Sequence, residues 1–301
     1  MAAKRRSAAP VGASLIALSS IFYASYGIWT TLMGSFFGGY TASALRSLLV
    51  LVILLPLAVA YRQLEHIAWR RNWKYLLGMV VAASFVWGPF YYAILHAGIG
   101  ISLAINYACI VIGMFLFGWL LAGERFTRGK QVSAFLGFAG IALIFSPSVS
   151  HLGWLALGAA AISGFGVALH MVLAKRVPFN ATQSTLCIWT TNVIANIPMA
   201  FLFGEALPAI GWHAEWFYLV LFAVASVAAS WAFVSGVKII DAGAAGVIGL
   251  LEIVFGVLFG AVFFHERPGL VVLCGVAVII AAAAIPYIKE YNARHGTLGK
   301  T

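Results

Sequence analysis

Apolar stretches of about twenty residues, enough to cross the hydrocarbon core of a bilayer as a helix, recur ten times along this sequence with only short segments between them. They run over 12–34, 41–60, 74–95, 99–122 and 130–147, and then over 152–174, 183–203, 216–237, 242–264 and 268–288. A soluble domain carries about 25% charged residues; this chain carries 9%, and its mean hydropathy is +1.01. There is no water-facing surface to speak of. Helices satisfy their own backbone in lipid, so the expected fold class is an all-α integral membrane protein with ten transmembrane helices. Those spans use about 200 residues of the 301, which leaves no room for a soluble domain. Lys4, Arg5 and Arg6 precede the first span as in a signal peptide, but its apolar run exceeds the usual core of such a peptide. It reads as a retained helix.

The net charge of +10 would suggest nucleic acid in a soluble protein. Here it reports orientation. With the N-terminus in the cytoplasm, sixteen of the eighteen basic residues fall in cytoplasmic segments: Lys4, Arg5, Arg6, Arg62, Arg70, Arg71, Lys74, Arg125, Arg128, Lys130, Lys175, Arg176, Lys238, Lys289, Arg294 and Lys300. Positive residues stay inside, so both termini are expected in the cytoplasm and nucleic acid is not an expected partner. Arg267 is on the far side and Arg46 lies within a span. The loop between spans seven and eight holds Glu205 and Glu215 and no basic residue.

The stretch 241–267 has an earlier cousin over 99–125. An offset of 142 places Glu266 on Glu124, Arg267 on Arg125 and Gly260 on Gly118. The chain thus divides into two five-span units, 1–150 and 151–301. Five is odd, so the second unit enters the membrane from the opposite face. This gives two inverted repeats, the arrangement that many secondary transporters use around a midplane site.

An apolar helix with a small or polar centre, then Glu-Arg, then a further helix, occurring twice, resembles the EamA family of the drug/metabolite transporter superfamily. That family often shows Leu-Glu-Pro at the helix centre and Leu-x-x-Glu-Arg at its end. This chain has Leu251-Glu252-Ile253, without the proline, and Cys109-Ile110 where the first copy would carry Leu-Glu. Asn106-Tyr107 is similar to the aromatic amino-acid exporters of the superfamily, but the Trp-Pro that follows there is missing. The resemblance implies a ten-helix inverted repeat in the bacterial cytoplasmic membrane that exports small metabolites.

Glu252 lies about eleven residues into its span, near mid-bilayer at 1.5 Å per residue, where a charge costs about 2.5–3.5 kcal/mol. It is the candidate proton-coupling and substrate residue; the plainer reading is a carboxyl that hydrogen-bonds a neighbouring helix. Arg46 either snorkels to the headgroups or binds a substrate carboxylate. His170 and, less so, His96 are relay candidates, against the commoner role of a satisfied polar group.

Polar stripes mark faces turned from lipid: Ser19, Tyr23, Tyr26 and Thr30 beside Trp29; Trp87 and Tyr91; Ser102, Asn106 and Gly113 beside Tyr107; Thr185, Trp189, Asn192 and Asn196; Ser226, Ser230 and Phe233. Span seven suggests a helix seam; spans one, three and four suggest a substrate cavity. The candidate substrate set is Tyr26, Arg46, Trp87, Tyr91, Asn106, Tyr107, His170, Ser230 and Glu252. Gly256 and Gly260 form a G-x-x-x-G packing face, with Gly243, Gly246 and Gly249 on the same helix. Pro89, Pro198 and Pro286 are kink candidates. The two Glu-Arg pairs are expected to pin or gate helix ends.

Cys109, Cys187 and Cys274 stand alone in apolar runs, so no metal, redox or cofactor site is expected. No phosphate-binding G-x-x-x-x-G-K-[ST] loop occurs, so direct ATP drive lacks support. The expected function is a secondary transporter, monomeric or homodimeric, exporting an amino-acid-like or amphipathic amine metabolite by alternating access, with a coupling proton or by facilitation. A lipid-modifying membrane enzyme would need convergent acids and bases, and only Glu252 among eight acidic residues lies within a span. A non-transporting scaffold would explain the glycines but not Glu252.

Overall fold

The computed structural model describes residues 2–64, 70–97, 99–125, 127–146, 153–209 and 211–295; Lys300, one of the basic residues used above for orientation, lies outside them. Among the described residues the regular structure is helical, without a strand. The first half holds α1 (Ala2–Ala24), α2 (Tyr26–Met33), α3 (Gly39–Ala60), α4 (Trp73–Ser84), α5 (Trp87–Ala97), α6 (Ile99–Ala122) and α7 (Arg128–Phe145). The second holds α8 (Trp154–Arg176), α9 (Ala181–Leu202), α10 (Ala214–Ile239), α11 (Ala242–Gly249), α12 (Leu251–Phe263) and α13 (Leu270–His295). Among the described residues, eight spans are long and apolar enough to cross a membrane. The chain is a multi-pass membrane protein.

The remaining two apolar stretches of the sequence are helical as well but fall short of that standard. α7 carries Arg128 and Lys130 in its first turn, and the apolar part of α13 is the shorter run Leu270–Ile285. These two helices pack on each other. Gly140 and Gly275 make that approach possible: a Cβ on either would lie 3.0 or 2.9 Å from the other's carbonyl oxygen. Ser133 Oγ, donating to the Ala282 carbonyl at 2.6 Å, adds a polar bond across the same seam.

The most extensive pairings are α6 on α8, α7 on α13, α1 on α10 and α3 on α9. Each joins a helix of the first half to one of the second, so the halves interleave. Small residues again set the spacing. Gly164 faces the Asn106 carbonyl, Gly236 the Gly12 carbonyl, and Gly243 and Gly246 receive Phe115 and Met114. Gly256 is different: nothing lies within 4 Å of where its Cβ would be. The G-x-x-x-G face expected at Gly256 and Gly260 is therefore not a seam here. Gly260 instead makes room for the Glu266 carboxylate, as Gly118 does for Glu124.

Three spans are interrupted: between α1 and α2 at Ser25, between α4 and α5 at Phe85–Val86, and between α11 and α12 at Leu250. Pro89 accounts for the second. It donates no N–H and its ring clashes with the carbonyl four residues back, which is that of Phe85. The Val86 carbonyl, next to it at the break, accepts from Ser163 Oγ at 2.7 Å, and Ser163 Oγ accepts from Asn106 Nδ2 at 2.8 Å. Side chains of neighbouring helices thus supply what water would supply outside lipid. Pro198, by contrast, lies inside α9 without dividing it.

Acidic side chains cap helix starts at both ends of the bundle. Glu124, just beyond α6, accepts from Ala242 N at 2.9 and 2.8 Å through its two oxygens and pairs with Lys175 at 2.6 Å. Lys130 pairs with Asp241 beside it at 2.5 Å. At the other end Glu205 accepts from Tyr40 N and Thr41 N at 2.9 and 2.7 Å. The first turn of a helix has unpaired N–H groups and a positive dipole end, which a carboxylate satisfies together. Glu124→Ala should destabilise the detergent-solubilised protein by about 2 kcal/mol, whereas Asp241→Ala, whose pair is more exposed, should cost about 0–1 kcal/mol. Thermal unfolding of the two variants in parallel checks that order.

Candidate functional site

Arg46, two turns into α3, is 2% exposed. It does not snorkel. Four aromatic faces enclose its guanidinium carbon: Phe222 at 4.3 Å, Trp87 at 4.6 Å, Tyr26 at 5.1 Å and Trp189 at 5.3 Å to the ring centroids. The rings come from α10, α5, α2 and α9. Each such contact contributes about 0.5–2 kcal/mol when desolvated. Its Nε is buried without a hydrogen-bond partner, and Arg46 enters neither of the two ion pairs among the described residues.

The cage is itself braced. Trp189 Nε1 donates to Ser230 Oγ at 2.9 Å, and Ser230 Oγ donates to the Ser226 carbonyl at 2.6 Å. Ser230 therefore orients a ring rather than meeting Arg46. Tyr26 packs edge-on against Phe222 at 4.5 Å and against Tyr23 at 5.2 Å. Its hydroxyl lies beside Ser226 but makes no hydrogen bond of good geometry.

Glu252 stands two residues beyond the interruption at Leu250, in the first turn of α12. Tyr107 of α6 is within hydrogen-bonding reach of its carboxyl. Tyr23 and Tyr26 are close enough to feel its charge, as they feel that of Arg46. The same tyrosine pair thus neighbours both the cation and the acid. Tyr26, Trp87, Tyr107 and Glu252 each keep part of their surface accessible although they lie among interior residues. Tyr26 and Trp87 also begin helices directly after an interruption, so all three breaks deliver a residue to this group.

Other candidates lie elsewhere. Tyr91 is 43% exposed and its ring packs on Gly39 at the start of α3; the structure does not bring it to the cage. Asn106 commits its amide to Ser163 and the Ala160 carbonyl, across the α6–α8 seam. His170 is buried with Nε2 at 3.1 Å from Thr191 Oγ1, a partner between α8 and α9. His96 is exposed, stacked on Tyr92. Thr30, last of the span-one stripe, is exposed and bonds back to the Tyr26 carbonyl. Trp189, read as a seam residue, is both seam and cage. Phe222 was not legible as a site residue; its signal was position, one turn before Ser226 and two before Ser230 on the span-eight stripe.

The EamA-like transporter family matches residues 10–146 and again 154–287. This chain belongs to that family. It is 25% identical over 259 residues to the "Uncharacterized transporter YvbV" of Bacillus subtilis (strain 168), covering 82% of each chain. A solved crystal structure, described only as that of a protein, shares the fold with a TM-score of 0.76 and 18% identity, over 93% of this chain and 98% of its own. Membership points to a transporter rather than an enzyme.

The seam reading of Asn106 is testable. Asn106→Ala and Ser163→Ala each remove a link of one chain ending at the Val86 carbonyl. Each should lower stability by about 1 kcal/mol, with the double variant losing less than the sum, as measured by thermal unfolding of all three.

Proposed function

We propose that this EamA-family protein is a secondary transporter of the bacterial cytoplasmic membrane. It exports small metabolites, amino-acid-like or amphipathic amines, by alternating access, with a proton taken and released at Glu252. Ten spans in two inverted five-helix units, with both termini cytoplasmic, are part of this reading. It is supported by the family match falling once in each half. A shared local structure also supports it: Glu124 N donates to the Gly118 carbonyl, and Glu266 N to the Gly260 carbonyl, at the positions that the 142-residue offset superposes. The partners on this reading are the small-molecule substrate, membrane lipid and the coupling proton, with the chain acting as a monomer or homodimer.

Glu252 carries the proposal. Its support is a carboxyl beside a helix interruption, with Tyr107 in reach and two further tyrosines near; on this reading it changes its charge as it meets water from either side. Discontinuous helices lining a midplane site are the common device of such transporters. A protonated Glu252 is neutral and crosses between states without the cost of a buried charge. An ionised Glu252 does not.

Uptake of a mixed pool of labelled amino acids and small amines into proteoliposomes, with and without an imposed pH gradient, tests this. The wild type should accumulate substrate above equilibrium only with the gradient. Glu252→Gln, which keeps the shape and removes the ionisation, should abolish accumulation while leaving a folded protein that equilibrates substrate. Gradient-driven accumulation by Glu252→Gln with the wild-type pH dependence would remove Glu252 from coupling.

A further inference from the structure

We infer that Arg46 is the anion pole of the ligand site and that the transported class is therefore a small organic carboxylate with an apolar body, zwitterionic amino acids included, rather than a simple amine. The inference rests on the transport reading above and narrows its substrate.

A guanidinium has five N–H donors in a planar fork and no acceptor of its own. Arg46 is 2% exposed, its Nε meets no acceptor, and neither ion pair among the described residues includes it. Buried arginines are ordinarily paired with carboxylates. Here four aromatic faces stand where a carboxylate would. The distinction matters chemically. A ring holds the cation by its quadrupole but accepts no strong hydrogen bond, so it fixes the charge and leaves the fork unspent. A resident Asp or Glu would occupy the fork permanently. An aromatic cage suits an arginine whose partner comes and goes.

The cage is also rigid before any ligand arrives, since Trp189 is tied to Ser230 and Ser230 to the Ser226 carbonyl. Pre-organisation of this kind lowers the ordering entropy of binding. An amine would bring a second positive charge to a site that already holds one without a counter-ion, and it would find the flanking ring faces already turned to the guanidinium.

Purified full-length protein in detergent can be titrated with leucine, isocaproate (leucine without its amine) and isopentylamine (leucine without its carboxylate). Trp87 and Trp189 flank Arg46, so intrinsic tryptophan fluorescence reads occupancy and ligand-induced thermal shift confirms it. Leucine and isocaproate should bind about tenfold or more tighter than isopentylamine. Arg46→Gln should lose that advantage, weakening both carboxylates while isopentylamine binds as well as before or better. Arg46→Lys, which keeps the charge but not the bidentate fork, should fall between. If Arg46→Gln is not recovered folded, Ser230→Ala keeps the arginine and frees Trp189, and should weaken both carboxylates a few-fold without altering the amine.

Equal binding of isopentylamine, wild-type leucine binding by Arg46→Gln, or no response to any of the three at millimolar concentration overturns the inference. So does an equal response to sodium chloride alone, which would make this an inorganic-anion site. Carboxylate-selective binding without uptake into vesicles would leave the anion pole standing and remove transport. Uptake without carboxylate preference would do the reverse.

Discussion

An interrupted helix in lipid has no water to turn to, and this fold is arranged around that difficulty. Breaking a span frees carbonyl and N–H groups that cost several kcal/mol each if left unsatisfied in hydrocarbon. Among the described residues three spans are broken, and polar groups beside each break are bonded from within the protein. Ser163 reaches the Val86 carbonyl and is in turn held by Asn106. Ser25 Oγ donates to the Phe22 carbonyl at 2.6 Å. Leu250 is bridged by tight backbone bonds on each side, its N–H to Val247 and its carbonyl to Ile253 N. What the breaks gain is placement: Tyr26, Trp87 and Glu252 all emerge from them into the same interior group.

The interior group has two kinds of electrostatics. Glu252 has a hydroxyl neighbour, Tyr107, and partial exposure. Arg46 has aromatic faces and almost no exposure, the setting of a fixed charge.

Much of the frame was legible in the sequence. Apolar runs and scarce charge fix a multi-pass helical protein because no other arrangement hides so much backbone and apolar surface. Pro89 announced its break, for a proline acts on its own neighbours. The interruptions at Ser25 and Leu250 were not legible: no proline marks them, and Ile253 stands where the family often has one. The cage was only partly legible. Arg46, Tyr26 and Trp87 could be singled out as unusual in lipid, but their convergence with Trp189 and Phe222 joins five helices far apart in sequence. Gly256 shows the opposite failure. Glycine spacing on an all-apolar helix does not say whether a neighbour is present, because lipid and protein demand the same side chains there.

The carboxylate caps at the two ends of the bundle have a topological meaning. Glu124 belongs to the first half and holds the start of α11 in the second; Glu205 belongs to the second and holds the start of α3 in the first. Those amides are first-turn groups with no partner inside their own helix, so each carboxylate supplies a bond that the helix cannot supply itself. The two carboxylates are thus reciprocal ties, each reaching from one part of the chain to a helix start in the other, at opposite ends of the bundle.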